Sequence, residues 1–522
     1  MTQKTALFRA DASQTMGSGH IMRCLTLANA LKEVNYKCEF ACRQIPKELI
    51  KLIEDSSHNI TILPEVNSDS SNEIANLVHS HWLECTQSLD AEHCIALSPK
   101  PRKWSMVIVD HYALDRQWER KIAPYCKRIL AIDDLADRHH HCDFLLDQNL
   151  GRDPNDYLNI VPLNCIKMVG PSYALLRPEF AEIRHTSLAR HRSADLNNII
   201  ISIGGTDENN ITFQILKQLL ISPSLGNASI TIIMGSQTSL IETIIAEAEL
   251  SNREITVLTN VSNMAELIAA SDLAIGAAGG TAWERCCLGV PSLIIVTAKN
   301  QIEGANALNQ SGAAIIIEKS ATKLPSIETF LKQDNLSEKL SKMSAAASLI
   351  TDGHGAARVV HKITVNKESN IILRKANAKD KDLLYTWVND CQVRKNALNT
   401  ATIPYYNHEQ WFSEKLKDTD GCHLLIVENT IGQKIGQIRF DHITGSKWEL
   451  SYSIALEFRG AGLGEKMLVP AIETLGRLHK NITVQARVKK HNLKSRRIFE
   501  KLNFNLSSSS QIEYDVYEFH YI

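Results

Sequence analysis

Short apolar runs, each ending in a polar or charged cluster, alternate with stretches of helical periodicity from the first residues of this chain: TALFRA, SMVIVD, RILAIDD and DFLLDQN. Runs of that length, spaced by helical patterns, read as the strands of a parallel sheet. The rhythm restarts at IIISIGG (199–205), SITIIMG, EITVLTN, SDLAIGAAGG and PSLIIVTA, after a less regular stretch around 151–197. Two doubly wound lobes are the economical reading. Ligands of such sheets bind beyond the carboxyl ends of the strands, where the polar clusters stand, so a site is expected in the cleft between the lobes.

A chain of 522 residues is too long for one core. We place a first lobe at 1–165, a second at 166–365 and a linker at TVNKESN (364–370). A third region, 371–522, has a different pattern. It opens with IILRKAN and a helical stretch, continues as a β-meander through CHLLIVEN, KIGQIRFDH and KWELSYSIAL, and then gives a glycine-rich loop and a helix, RGAGLGEKMLVPAIETL. The run SSSS (507–510) reads as a flexible turn.

With 57 basic and 58 acidic residues the formal net charge is −1, so no long-range field favours nucleic acid or an anionic membrane, and neither is an expected partner. The start has no apolar run of signal-peptide type and no later stretch offers the roughly 20 apolar residues of a membrane span, so a cytoplasmic location is expected. The chain has twelve cysteines; Cys24, Cys286 and Cys287 fall in helical patterns, and they read as reduced, buried thiols.

Gly17, Ser18, Gly19 and His20 follow the first strand and open a helix with apolar positions at Ile21, Leu25, Ala28 and Leu31. Glycines let a ligand approach the backbone, and the free N–H groups of a first helical turn favour a diphosphate. A neutral His20 there can act as general base toward water; an ordinary turn with a surface histidine is the alternative. In the second lobe Gly279, Gly280 and Thr281 form another glycine-rich turn onto a helix, suited to phosphate, with Glu284 one turn on, either accepting bonds from ribose hydroxyls or stabilising its own helix start. Gly204 and Gly205 make a similar turn, and Trp283 reads as core or lid. No full G-x-G-x-x-G fingerprint follows the first strand, which argues against a dehydrogenase.

The runs RADASQTMGSGHIMRCLTLA, VDHYALD, IDDLADRHHHCDFLLDQN, ISIGGTDENNIT and SDLAIGAAGGTAWERCCLGVPSLII together resemble the UDP-2,4-diacetamido-2,4,6-trideoxy-β-L-altropyranose hydrolases of pseudaminic acid biosynthesis, over about residues 1–365. The resemblance implies a GT-B-like pair of Rossmann-type lobes, no metal, His20 as the base for water attacking the anomeric carbon, and Tyr112, beside Asp110 and His111, as a substrate contact. Tyr112 also reads as a packed aromatic. Asn149, Gly280 and Glu284 carry over by motif neighbourhood. The run His139, His140, His141, Cys142, Asp143 reads as a polar loop rather than a metal site, because consecutive side chains diverge.

From residue 371 the chain resembles the GNAT N-acetyltransferases, a mixed α/β fold, most closely those acting on UDP-linked amino sugars. The signature is Arg459, Gly460, Ala461, Gly462, Leu463 and Gly464, whose backbone N–H groups can cradle the pyrophosphate of acetyl-coenzyme A. KHNLKSRRIFEKLNF matches the later coenzyme segment, with Asn492 in the asparagine position, whereas Phe499 stands where a tyrosine often protonates the leaving thiolate and Asn503 replaces a glycine. The general acid is therefore unassigned. Glu449 can accept the amine proton or be a surface glutamate; Lys489, Lys490, Arg496 and Arg497 can meet the coenzyme's phosphates or form a solvated face. The expectation is a bifunctional enzyme that acetylates the 4-amino group of a UDP-linked 4-amino-4,6-dideoxy sugar and then hydrolyses the product. Its rivals are a UDP-N-acetylglucosamine type hydrolase or glycosyltransferase, and a noncatalytic nucleotide-sugar sensor fused to a protein acetyltransferase.

Overall fold

A computed structural model describes residues 3–66, 77–97, 103–190, 195–204, 207, 210–235, 240–317, 327–364, 371–429, 432–459, 462–507 and 513–521. They fall into two compact units, Met1–Val360 and His361–Ile522. Except for Thr364 and Ser507, the expected linker at 364–370 and the SSSS turn at 507–510 lie outside the described residues.

The first unit holds two parallel sheets. The first orders its strands β3-β2-β1-β4-β5-β6-β7, with β1 Lys4–Ala10, β2 Tyr36–Cys42, β3 Asn59–Ile62, β4 Met106–Asp110, β5 Ile129–Ile132, β6 Phe144–Asp147 and β7 Ile166–Val169. Its central strands MVIVD and ILAI are buried at every position, as strands covered on both faces must be. The expected boundary at 165/166 is corrected here: β7 pairs with β6 in parallel, Phe144 opposite Ile166, so the first sheet runs on to Val169. The edge strand IKMV buries only Met168 fully, and a half-exposed four-residue edge carries little periodicity.

The second sheet has order β10-β9-β8-β11-β12-β13, built from β8 Asn198–Ser202, β9 Ser229–Met234, β10 Ile255–Thr259, β11 Leu273–Ala277, β12 Ser292–Ile295 and β13 Ala314–Ile316. In both sheets the winding reverses at one place, between β1 and β4 and between β8 and β11. There the connections leave in opposite directions and open a crevice at the carboxyl ends of the strands.

The second unit is a mixed sheet, β14-β15-β16-β17-β18-β20-β19, of β14 Ile371–Lys375, β15 Cys422–Asn429, β16 Lys434–Thr444, β17 Lys447–Ile454, β18 Ile482–Lys489, β19 Asn505–Leu506 and β20 Tyr514–Tyr521. Its pairings are antiparallel except between β17 and β18, which are joined through the helix Leu463–Leu478. No helix among the described residues is long and apolar enough to cross a membrane.

Under the first sheet lies a charge cluster without solvent. Arg9 of β1 donates to Asp90 through Nε at 2.9 Å and Nη2 at 2.8 Å, and to Asp11 at 2.6 Å, while Arg43 and the Trp118 indole N–H also donate to Asp90. Burial works to raise the Asp90 pKa, but Arg9 and Arg43 outweigh it and hold the group below its ordinary value. Replacing Asp90 by Ala leaves Arg9 buried beside Asp11 alone, and should lower the stability of the first unit by about 3–5 kcal/mol. Denaturant unfolding of the full chain, followed by a probe in that unit, checks this; an unchanged midpoint would contradict it.

Candidate active sites

The first site forms at the crevice between β1 and β4. Gly17, at φ +73°, closes a tight turn in which its N–H donates to Ser13 O at 2.8 Å, and the helix Gly19–Lys32 starts directly after it. His20 and Arg23, three residues apart, share a face of that helix. His20 Nδ1 lies 2.6 Å from Asp110 Oδ1 at the end of β4. Arg23 donates to both oxygens of Asp110, through Nε and Nη2 at 2.6 Å each, and to Asp134 Oδ2 through Nη1 at 2.5 Å. Tyr112 donates its hydroxyl to Asp134 Oδ2 at 2.9 Å.

Burial pushes the Asp110 pKa upward, yet Arg23 and then His20 overcome it and hold the carboxyl well below the usual range. An ionised carboxylate against Nδ1 favours the proton on that nitrogen, which leaves the Nε2 lone pair as an acceptor. Nε2 has no hydrogen-bond partner among the described residues. Tyr112 is raised well above its ordinary pKa, by burial first and Asp134 second, and so stays a neutral hydroxyl.

Two further rings complete this site, and sequence reasoning passed over both. Trp82 stacks on Tyr112 at 5.7 Å between centroids, and His79 lies 4.4 Å from Trp82 and 5.4 Å from Tyr112; the His20 ring stands edge-on to Tyr112 at 4.7 Å. The only signal was HSHW itself, a cluster of rings outside any periodic element. Asn149 sits at the rim, its Nδ2 3.4 Å from Asp134 O. Nearby Asp147 is pushed up to about 7 by burial, with Asp134 adding to it. Arg152 donates to Leu135 O at 3.0 Å and pairs with Glu303 of the second lobe at 3.1 Å, which bridges the lobes beside the cluster. In the histidine run His139 and His141 face solvent, while His140 is buried against Glu119 at 2.7 Å.

In the second lobe Gly279, Gly280 and Thr281 follow β11. Gly280 has open space where a Cβ would be, and Thr281 Oγ1 accepts from Arg285 Nη1 at 3.2 Å. Trp283 is core, 3% exposed. Glu284 Oε2 is shut off from solvent with no hydrogen-bond partner among the described residues. Across the crevice Gly204, at φ +133°, ends the β8 segment, and Gly205 lies outside the described residues. Asp207 already accepts from the N–H groups of Ile211 and Thr212 at 2.7 Å each, so the helix beginning there is capped by the chain's own carboxylate.

The second unit builds a site differently. β17 and β18 pair only from Lys447 opposite Thr483 to Glu449 opposite Gln485, and then separate, although each strand continues. The facing edges beyond Glu449 and Gln485 therefore bound a fork, into which backbone amide donors and acceptors can bond a narrow chain. Gly462, at φ +72° with open space at its Cβ position, caps the helix that follows β17; Gly460 lies outside the described residues. Gly464 serves packing, since a Cβ there would lie 2.5 Å from Ile498 Cδ1. Arg459 braces the turn, donating to Ile454 O at 2.9 Å and pairing with Asp390 at 2.8 Å. Asn492 caps the helix Leu493–Lys501, accepting from the Ser495 N–H at 3.3 Å. Glu449, at the last paired position, accepts from Arg487 Nε at 2.5 Å, and Arg496 is engaged by Tyr517 and Asp515.

Two family models match the chain: the glycosyltransferase family 28 C-terminal domain over residues 194–362, and the acetyltransferase (GNAT) domain over residues 370–505. The chain thus joins a segment matching the glycosyltransferase family 28 C-terminal domain to a C-terminal GNAT domain. Its N-terminal part is homologous to the UDP-2,4-diacetamido-2,4,6-trideoxy-β-L-altropyranose hydrolase of Campylobacter jejuni, 31% identical over 214 residues, covering 41% of this chain and 65% of that protein. An uncharacterized protein of Methanocaldococcus jannaschii is 23% identical over 531 residues, covering 97% of this chain and 98% of its own. Among solved structures, MurG of Acinetobacter baumannii covers 69% of this chain and 99% of its own at 17% identity, with a TM-score of 0.49.

Burial pushes Glu284 up to about 7, against the pull of Arg177 and Arg285. A carboxyl whose folded pKa is raised binds its proton more tightly folded than unfolded. Its contribution to stability is therefore lost as pH rises from the unfolded value, about 4.3, through 7. Replacing Glu284 by Gln should remove a decline on the order of a few kcal/mol across that window, read from unfolding at several pH values. An identical pH slope in the variant would contradict the assignment.

Proposed function

We propose that the first unit hydrolyses a UDP-linked diacetamido-trideoxy sugar, with His20 as general base toward water and Asp110 as the group that orients it. The observation that carries this reading is the 2.6 Å contact of Asp110 with His20 Nδ1, which leaves Nε2 as the acceptor. Water deprotonated there attacks the anomeric carbon, the bond to the diphosphate breaks, and UDP leaves with the electron pair. Tyr112, Trp82 and Asn149 would face the sugar. Gly279, Gly280 and Thr281 would meet the diphosphate, and the unpartnered Glu284 oxygen would accept from a ribose hydroxyl. The homology to the altropyranose hydrolase supports the substrate class.

The GNAT domain, on this proposal, takes acetyl-coenzyme A and acetylates the 4-amino group of the UDP-linked precursor. The fork between β17 and β18 would hold the pantetheine arm, Gly462 would leave room for the pyrophosphate, and Glu449 would accept the amine proton. Acetylation comes first, because release of UDP removes the group by which both units recognise the sugar. A hydrolase pocket that pairs an acetamido group would also leave polar groups unpaired around a bare amine.

Replacing His20 by Asn should leave UDP binding intact and lower hydrolysis by roughly 10²- to 10⁴-fold; near-normal turnover would remove the base assignment. Replacing Gly462 by Val places a β-branched residue at positive φ, where the coenzyme must approach. Acetyl transfer should collapse while UDP release from preacetylated sugar continues, and the joint loss of both activities in a folded variant would count against two separate sites. UDP release from the unacetylated sugar should be slow without acetyl-coenzyme A and rise after a lag when it is added. Equal rates would defeat the proposed order.

A further inference from the structure

We propose that Tyr452 is the residue that returns a proton to the coenzyme's sulfur when the thioester is cleaved, filling the role left open by Phe499. This assignment rests on the acetyl-transfer reading of the second unit. Aminolysis of a thioester breaks the C–S bond and leaves the electron pair on sulfur, so a proton donor at the fork completes the step. Phe499 is 2% exposed and carries no hydroxyl. Tyr452 lies edge-on to it, ring centroids 5.9 Å apart, and stands on β17 three residues beyond Glu449, where the strands have already parted.

The hydrogen bonds around Tyr452 permit an arrangement in which its proton is available. Its Oη lies 3.0 Å from Ser495 Oγ, and Asn492 Nδ2 donates to that same Oγ at 3.1 Å. Either hydroxyl of this pair can donate to the other, and with the serine donating, the tyrosine's own O–H is left for a third partner. Burial raises the Tyr452 pKa, so the hydroxyl is intact at neutral pH, and the residue is partly buried rather than sealed in the core. Tyr517, the other tyrosine packed on Phe499, differs: its hydroxyl accepts from Arg496 Nε at 3.2 Å and donates to Glu500 at 3.3 Å, and is committed on both sides. In the step itself the amine nitrogen bonds to the acetyl carbon and gives up a proton to Glu449, the C–S bond breaks, sulfur takes the Tyr452 proton, and the phenolate recovers one from solvent through Ser495 as Glu449 releases its own to solvent.

The test compares the full-length wild type, Tyr452→Phe, Tyr517→Phe and the double variant Tyr452→Phe/Phe499→Tyr, with acetyl-coenzyme A and a UDP-4-amino-4,6-dideoxy sugar. Tyr452→Phe keeps the ring and the packing. It should lower kcat about 10²-fold with the KM for acetyl-coenzyme A within about twofold. Phe499→Tyr should restore a substantial part of that loss, and Tyr517→Phe should keep kcat within about twofold. Unchanged kcat in Tyr452→Phe, or an equal loss in Tyr517→Phe, would overturn the assignment while leaving the acetyl-transfer reading intact. A wild type that does not acetylate the sugar would overturn both.

Discussion

A carboxylate enclosed at the end of a parallel strand must be neutralised by neighbours, and at Asp110 this requirement organises the whole first site. Its partners come from one helix, His20 and Arg23, because residues three apart lie on one face. The helix is brought there by a sheet order that sets β1 beside β4, at the place where the winding reverses. Arg23 in turn reaches Asp134 at the end of β5, and Asp134 holds the hydroxyl of Tyr112. The carboxyl ends of three adjacent strands are thereby tied into one hydrogen-bonded system, and the imidazole at its edge is presented in a single orientation. Removing Asp110 would free both the tautomer of His20 and the position of Arg23, so its effect on rate should not separate cleanly from its effect on local order.

The second unit obtains its site from the interruption of pairing rather than from a topological crevice. β17 and β18 share three register positions and then diverge, which leaves backbone donors and acceptors of two strands without each other. Such groups are costly when enclosed and unpaired, so the fork is a natural seat for a ligand arm that carries amides of its own. The side chains at its rim have structural duties as well: Arg459 braces the turn, Gly464 lets two helices close on each other, and Asn492 caps a helix. These residues were legible as a motif, but the motif does not say which atoms hold the fold and which are left for the coenzyme.

Much of the architecture was readable because buried parallel strands are short, apolar and punctuated, as MVIVD and ILAI are; β7 was misplaced because IKMV is a half-exposed edge. Among the site residues, His20 and Tyr112 were visible from local motifs. Their partners were not, since Asp110 is 90 residues from His20 and Asp134 lies 111 residues from Arg23, and nothing in a linear pattern records that the strands carrying them are neighbours. Trp82 and His79 stand outside any periodic element and gave no signal that a single sequence could separate from ordinary loop residues. Glu284 was a candidate because of its distance to a glycine turn, but its enclosed and unpartnered oxygen could be learned only from the fold.

The account rests on water attacking carbon rather than phosphorus, and the position of an oxygen label tests this most directly. Hydrolysis of the UDP-linked diacetamido sugar in water enriched in oxygen-18, followed by mass spectrometry of the released UDP, distinguishes the two bonds. Attack at the anomeric carbon, activated by His20, releases UDP with all its original oxygens, and unlabelled UDP is the predicted result. One oxygen-18 in the terminal phosphate of UDP would place the attack at phosphorus and contradict the account.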